Sequence, residues 1–105
     1  MDQREAIIIA QQYVNLVNQT YPVKQAFLFG SFAKGNSHLD SDIDIALVLD
    51  RSEDIMETQI DMMKLRRSID LRIEPHPFID KDFQSSNPVA HEIMKYGIEI
   101  GKVAA

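Results

Sequence analysis

Four residues in the middle of the chain have the types and the spacing for phosphate chemistry. Ten residues separate Gly30-Ser31 from Asp42, and Asp44 follows two further on, at the head of an apolar run from Ile43 to Leu49. Side chains alternate along an extended strand, so Asp42 and Asp44 share one face. At about 5 Å and an effective dielectric near 20, two such charges repel by roughly 3 kcal/mol. A purely structural role gains nothing to offset that. A divalent cation reverses the sign, because hard carboxylate oxygens suit Mg²⁺ or Mn²⁺, and Mg²⁺ takes one or two carboxylates together with substrate phosphates. A glycine at a strand end lets backbone N–H groups approach an anion closely. The Ser31 hydroxyl and the N–H groups after it can then cradle phosphate oxygens. Lys34 either adds charge to that cradle or stands in solvent.

A third acidic group would complete a site for two cations about 3.5–4 Å apart, clamping the attacking and leaving oxygens of a displacement. Asp70 and Glu74 are the candidates. Both lie on the polar side of an alternating stretch, Ile69, Leu71 and Ile73 against Asp70, Arg72 and Glu74. A strand–helix–strand crossover normally makes its two strands parallel neighbours. Asp70 then lies beside Asp42 and Asp44, with Glu74 about 13 Å further along, so Asp70 ranks first. Arg72 is expected to pair with one of these carboxylates or to meet a phosphate.

The elements that must position these groups follow from periodicity. Residues 2–19 predict a helix, with Ala6, Ile9, Tyr13, Leu16 and Val17 on one face and Tyr21-Pro22 ending it. Val23 to Phe29 predicts a strand stopped by Gly30. Residues 31–41 predict a loop or a short helical turn. Ile43 to Leu49, apolar on both faces, predicts a central buried strand. Residues 52–66 predict a helix capped by Ser52, with a Met56, Ile60 and Met63 stripe and its charges ordered to suit the helix dipole. Residues 69–74 predict a half-buried strand ended by Pro75 and Pro77. His76, between those prolines, reads as part of a rigid loop, with contact to the nucleotide as the lesser alternative, and no histidine pair has metal-ligand spacing. Asn87 and Pro88 open a last helix, Gly97 closes it, and Ile98 to Val103 is a tail able to pair or dock.

Composition excludes several function classes. The 105 residues carry 11 Lys plus Arg against 16 Asp plus Glu, a net charge of −5, which argues against stable coating of nucleic acid. The 45 % hydrophobic share is that of a folded chain. The length suits one domain over 1–105, so a substrate-binding module must come from a partner. There is no cysteine, hence no disulfide, no thiol nucleophile and no cysteine-based zinc site. The first ten residues lack a signal peptide's basic start, and no apolar run approaches the roughly 18 residues of a membrane span. A cytoplasmic location is the expectation.

Gly30-Ser31, ten residues and then Asp42-Ile43-Asp44 resembles the Gly-Ser-x10-Asp-x-Asp signature of the DNA polymerase β-like nucleotidyltransferases. The chain is similar to their minimal nucleotidyltransferase (MNT) branch, the small partners of HEPN proteins. The likeness runs over residues 23–74, and Asn87 to Gly97 resembles the family's closing helix. The resemblance implies an α/β (α+β) fold, with a mixed sheet of three or more strands flanked by helices. It implies Mg²⁺-dependent transfer of a nucleoside monophosphate, AMP from ATP, to a hydroxyl. By the signature, Gly30 and Ser31 hold the triphosphate and Asp42 and Asp44 bind metal. The family's third carboxylate opens the next strand, which matches Asp70. The stretch from Asp70 to Pro77 departs from the pattern by carrying Arg72 and Glu74 on its polar face, which keeps Glu74 open as the third ligand. MNT proteins of this kind are antitoxins of helical HEPN ribonuclease toxins, and they can neutralise the toxin by adenylylating a tyrosine near its active site. Two other readings stand beside this one: an antitoxin that acts by binding alone, and a nucleotidyltransferase subunit that modifies a small molecule such as an aminoglycoside. Resemblance of fold does not choose among acceptors.

Overall fold

The computed structural model describes residues 1–38 and 40–101. Helix α1 spans Gln3–Asn18 and is capped by the Asp2 carboxylate, which accepts from the Glu5 N–H. It buries Ala6, Ala10, Tyr13, Val14 and Val17. Strand β1 (Val23–Phe29) and strand β2 (Ile43–Leu49) take the predicted bounds, with the short helix α2 (Ser31–Lys34) between them. Helix α3 (Ile55–Leu65), strand β3 (Ile73–Ile79), helix α4 (Pro88–Tyr96) and strand β4 (Ile98–Glu99) follow. The sheet order is β3-β2-β1-β4, with β2 parallel to β3 and antiparallel to β1, and β4 antiparallel to β1. This is the expected mixed sheet flanked by helices.

Because β2 is central, both of its faces are covered. Ile43, Ile45, Leu47 and Leu49 join the larger core with α1 and Met62 of α3. Ala46 and Val48 join a smaller core with Phe27, Phe83 and the α4 residues Ala90 and Ile93. Asp42 and Asp44 have the parity of Ala46 and Val48, so they lie on the α4 side of the sheet. Among the described residues no helix is long and apolar enough to cross a membrane.

Three expectations need correction. Helix α3 begins at Ile55, not at 52, because the Asp54 carboxylate accepts from both Met56 and Glu57 N–H and so satisfies two orphan donors. Ser52 instead shares a hydrogen bond with the Thr58 hydroxyl at 2.9 Å. The buried face of α3 is Thr58 and Met62, and the predicted stripe points outward, with Met56 72 % and Ile60 49 % exposed. Burying Thr58 costs little, since its hydroxyl also reaches the Asp54 carbonyl at 3.0 Å.

The third correction concerns β3. It runs from Ile73 to Ile79, through both prolines, where a strand over 69–74 ending at Pro75 was expected. In the parallel ladder the Ile43 N–H donates to the Arg72 carbonyl at 2.9 Å. The even-numbered residues of β3 therefore face β2 with their backbone groups, and the odd-numbered ones face outward. Pro75 and Pro77 occupy outward positions on an edge strand, where a missing N–H breaks no ladder bond. The outward carbonyls are met by side chains: Arg66 Nη1 donates to Leu71 and Ile73, and Gln59 Nε2 to Pro75. The tail pairs as anticipated, since Ile98 and Glu99 lie against Leu28 and Phe27 and the Ile100 N–H donates to Ala26. Residues 102 and 103 of that expected tail lie outside the described residues.

Candidate functional site

The site is assembled where β1 ends and β2 begins. Antiparallel register places Phe29 opposite Asp44, so the turn at Gly30-Ser31 meets the start of β2. Gly30 has φ +76° and ψ −151°, a conformation open essentially to glycine alone. A Cβ built there would run into Asp44 Oδ2, with Asp44 Cγ at 3.3 Å. The carboxylate therefore occupies the space that a side chain at position 30 would fill. The first turn of α2 follows at once, and its leading N–H groups have no intrahelical acceptor. Buried Phe32 and the Gln3 amide, which donates to the Phe32 carbonyl at 2.9 Å, anchor that turn to the core and to α1.

Asp42 is exposed and immediately precedes β2. The turn before it is tied by Ser41, whose buried hydroxyl accepts from the His38 N–H at 2.8 Å and whose N–H donates back to the His38 carbonyl. Asp44 is 25 % exposed, and its Oδ1 lies 3.2 Å from His76 Nε2. The register partner of Asp44 on β3 is Glu74.

Asp70 lies before β3 and not on it. Its carboxylate accepts from the Arg72 N–H at 2.9 Å and from Arg72 Nε and Nη2 at 3.0 and 2.7 Å. Those hydrogen bonds hold its carboxyl below the usual carboxylate range. Arg72 is thus the partner of Asp70. Glu74, half exposed, has Arg66 Nη1 at 3.9 Å. Lys34 turns to α4, with its Nζ 3.1 Å from Glu92 and 5.5 Å from the centre of the Tyr96 ring. A cavity of about 220 Å³, lined by Phe29, Gly30, Lys34, Val89, Glu92 and Tyr96 among others, opens beside Gly30.

The family model for polymerase beta nucleotidyltransferases matches residues 11–102. The chain belongs to that nucleotidyltransferase family. No curated protein matches its sequence. Among solved structures, a candidate nucleotidyltransferase from Sulfolobus solfataricus superposes with a TM-score of 0.67 at 20 % identity, over 95 % of this chain and 83 % of that one. A toxin–antitoxin complex with AMP-PNP gives a TM-score of 0.67 at 22 % identity, over 90 % and 73 %. A mutant of the MntA–HpeT toxin–antitoxin gives 0.63 at 19 %, over 88 % and 71 %. At these identities the likeness is one of fold. Nucleotidyltransferases of this family generally use a nucleoside triphosphate and a divalent metal.

Among the described residues no three His, Asp or Glu side chains converge as a preformed metal cage. The donors at the head of β2 nevertheless fit a hard cation that arrives with phosphate. They are two carboxylates on one face, beside a turn whose N–H groups can take the phosphate oxygens.

Sequence reasoning placed His76 in a loop and missed its contact with Asp44. The available signal was the parity of the strand. Had β3 been continued through its prolines, Glu74 and His76 would have been placed on the face of Asp44.

Proposed function

We propose that the chain transfers AMP from ATP, with Mg²⁺ or Mn²⁺, to a hydroxyl carried by a partner protein. The observation that carries this reading is the closure of Gly30 on Asp44, which holds a phosphate-accepting turn against a carboxylate pair. In this reading Gly30 and Ser31 receive the triphosphate and Asp42 and Asp44 hold the cation. When bound, the cation neutralises charge on the phosphates and polarises the α-phosphorus. The acceptor oxygen bonds to the α-phosphorus, the bond from that phosphorus to the bridging oxygen of the β-phosphate breaks, and pyrophosphate leaves. The acceptor's proton passes to a carboxylate on the Asp44 face. Glu74 suits that part better than Asp70, because Asp70 is held in hydrogen bonds with Arg72. Lys34 reaches phosphate only by leaving Glu92.

A helical toxin of the HEPN class is the proposed acceptor, with a tyrosine as the modified residue, in a type VII-like pair. One observation supports it: the similar folds include toxin–antitoxin complexes. A single-domain cytoplasmic antitoxin is the corresponding biological reading. The test incubates the chain with [α-³²P]ATP, Mg²⁺ and the candidate toxin. Label on the toxin that is lost with Asp42→Asn supports the reading. Label that persists in that variant refutes the site, and label on a small molecule in place of protein refutes the acceptor.

A further inference from the structure

Asp44 is held from two sides. Its Oδ2 fills the space at Gly30, and its Oδ1 faces His76 Nε2 at 3.2 Å. His76 stands two residues beyond Glu74 on β3, diagonal to Asp44, a separation that a long side chain can bridge. Its direct partner on β2 is Ala46, whose small side chain leaves room for the imidazole above the sheet. The ring also meets Phe29, edge to face, with centroids 4.9 Å apart. Phe29 in turn is the register partner of Asp44 on β1. His76 therefore spans the sheet from β3 towards β1, with the Phe29 ring as a second contact besides Asp44.

We propose that His76 is a positioning residue for the nucleotidyl-transfer site: its Nε2–H, donated to Asp44 Oδ1, fixes the carboxylate so that Asp44 meets the cation in one preset orientation. This inference rests on the functional reading above. A free carboxylate two residues from another tends to rotate away from it, and His76 removes that freedom before the metal–nucleotide arrives. The arrangement is that of outer partners at metal sites, whose loss typically weakens metal affinity or activity by about 10–100-fold.

Three substitutions separate the hydrogen bond from the packing. His76→Phe keeps a ring against Phe29 and removes the donor. His76→Gln places an amide N–H near the position of Nε2. His76→Ala removes both. The readout is the Mg²⁺ concentration giving half of the melting-temperature rise produced by a non-hydrolysable ATP analogue, with the KM for Mg²⁺ in AMP transfer measured in parallel. The metal-free melting temperature reports packing. We expect His76→Phe to melt near wild type without metal but to need about 10–100-fold more Mg²⁺. His76→Gln should return to within about threefold of wild type. A His76→Phe protein with wild-type Mg²⁺ dependence overturns the proposal and leaves His76 a packing residue. A His76→Gln protein as impaired as His76→Ala overturns it as well. A wild-type protein that shows no metal–nucleotide response, like an Asp44→Asn control, overturns the functional reading beneath it.

Discussion

Replacing Gly30 by alanine tests whether the turn and the carboxylate are as closely fitted as the structure shows. Two costs are expected, and they can be separated. The first is backbone strain. At φ +76° and ψ −151° a residue with a Cβ is disfavoured by about 1–3 kcal/mol. The second is the collision with Asp44 Oδ2 and Cγ. Relieving it means turning Asp44 off its rotamer, at about 0.5–1.5 kcal/mol, and weakening the bond to His76, at about 1 kcal/mol. In an Asp44→Ala background the two closest atoms are gone and the nearest left is the residue 44 Cβ, at 3.5 Å, an ordinary contact. The second cost should vanish there and the first should remain. A double-mutant cycle is therefore expected to show about 2 kcal/mol of coupling. For a chain of this size that is roughly 8–16 °C in melting temperature, followed by far-UV circular dichroism. Gly35→Ala is a positive-φ control without a collision, since nothing lies within 4 Å of its Cβ position; at φ +76° and ψ 17° it is in the left-handed helical region, where a Cβ costs less than at Gly30. Equal losses from Gly30→Ala in both backgrounds would show that Asp44 does not sit against Gly30 in solution, and the site as assembled would fall.

Two further outcomes follow from the region around β3. The Asp70 carboxyl is held below its ordinary range by hydrogen bonds to Arg72, so the pair stabilises the fold above the unfolded carboxylate pKa of about 4 and the contribution is lost as pH falls through the lower folded value. Acid melting curves should accordingly flatten below pH 4 in Asp70→Asn, while AMP transfer at pH 7.5 stays within about threefold of wild type and Glu74→Gln loses tenfold or more; the reverse ranking would restore Asp70 as the third acidic group. Replacing Pro77, the half-buried one of the two prolines, by threonine should return an outward N–H to the edge of the sheet and raise self-association, seen as higher-mass species in light scattering at unchanged circular dichroism; a monodisperse variant would show that Pro77 does not guard the edge.

Much of this architecture was legible in the residues. The bounds of β1 and β2 follow from Val23 to Phe29 and Ile43 to Leu49 because Gly30 ends one apolar run and charged residues flank the other. The last helix is equally plain, since Asn87 caps it through the Val89 and Ala90 N–H groups and Pro88 takes the first position. Parallel pairing of β2 and β3 follows from the handed crossover through α3. What failed was the register. Pro75 and Pro77 read as terminators because a proline removes a donor, yet on an edge strand the outward positions need none. Placing β3 four residues late moved Asp70 off the strand and brought Glu74 level with Asp44. It also turned His76 from a loop residue into the neighbour of a candidate metal ligand. The α3 stripe failed for a related reason: apolar spacing gives a face, but the side of the helix that is buried was decided by Thr58 and Met62.

Metal and nucleotide should bind as one unit. Asp42 and Asp44 are like charges on one face, yet among the described residues no three His, Asp or Glu side chains are placed to hold a metal together. Mg²⁺ dehydrates reluctantly and demands near-octahedral oxygen geometry, so two carboxylates alone compete poorly with water. Phosphate oxygens bound at the Gly30-Ser31 turn supply the missing ligands. Conversely, triphosphate without metal brings its charge against two carboxylates in a chain of net charge −5. Each ligand alone is therefore expected to leave the melting temperature nearly unmoved. The two together, at about 100 times the joint dissociation constant, should add about 2.7 kcal/mol, or roughly 10–20 °C. Asp42→Asn/Asp44→Asn should abolish that rise and could permit a small metal-independent shift from nucleotide alone, since the repulsion is gone. A full-sized rise with Mg²⁺ alone would mean that the carboxylates hold a cation without phosphate, and the turn at Gly30 would then have to be read without the triphosphate.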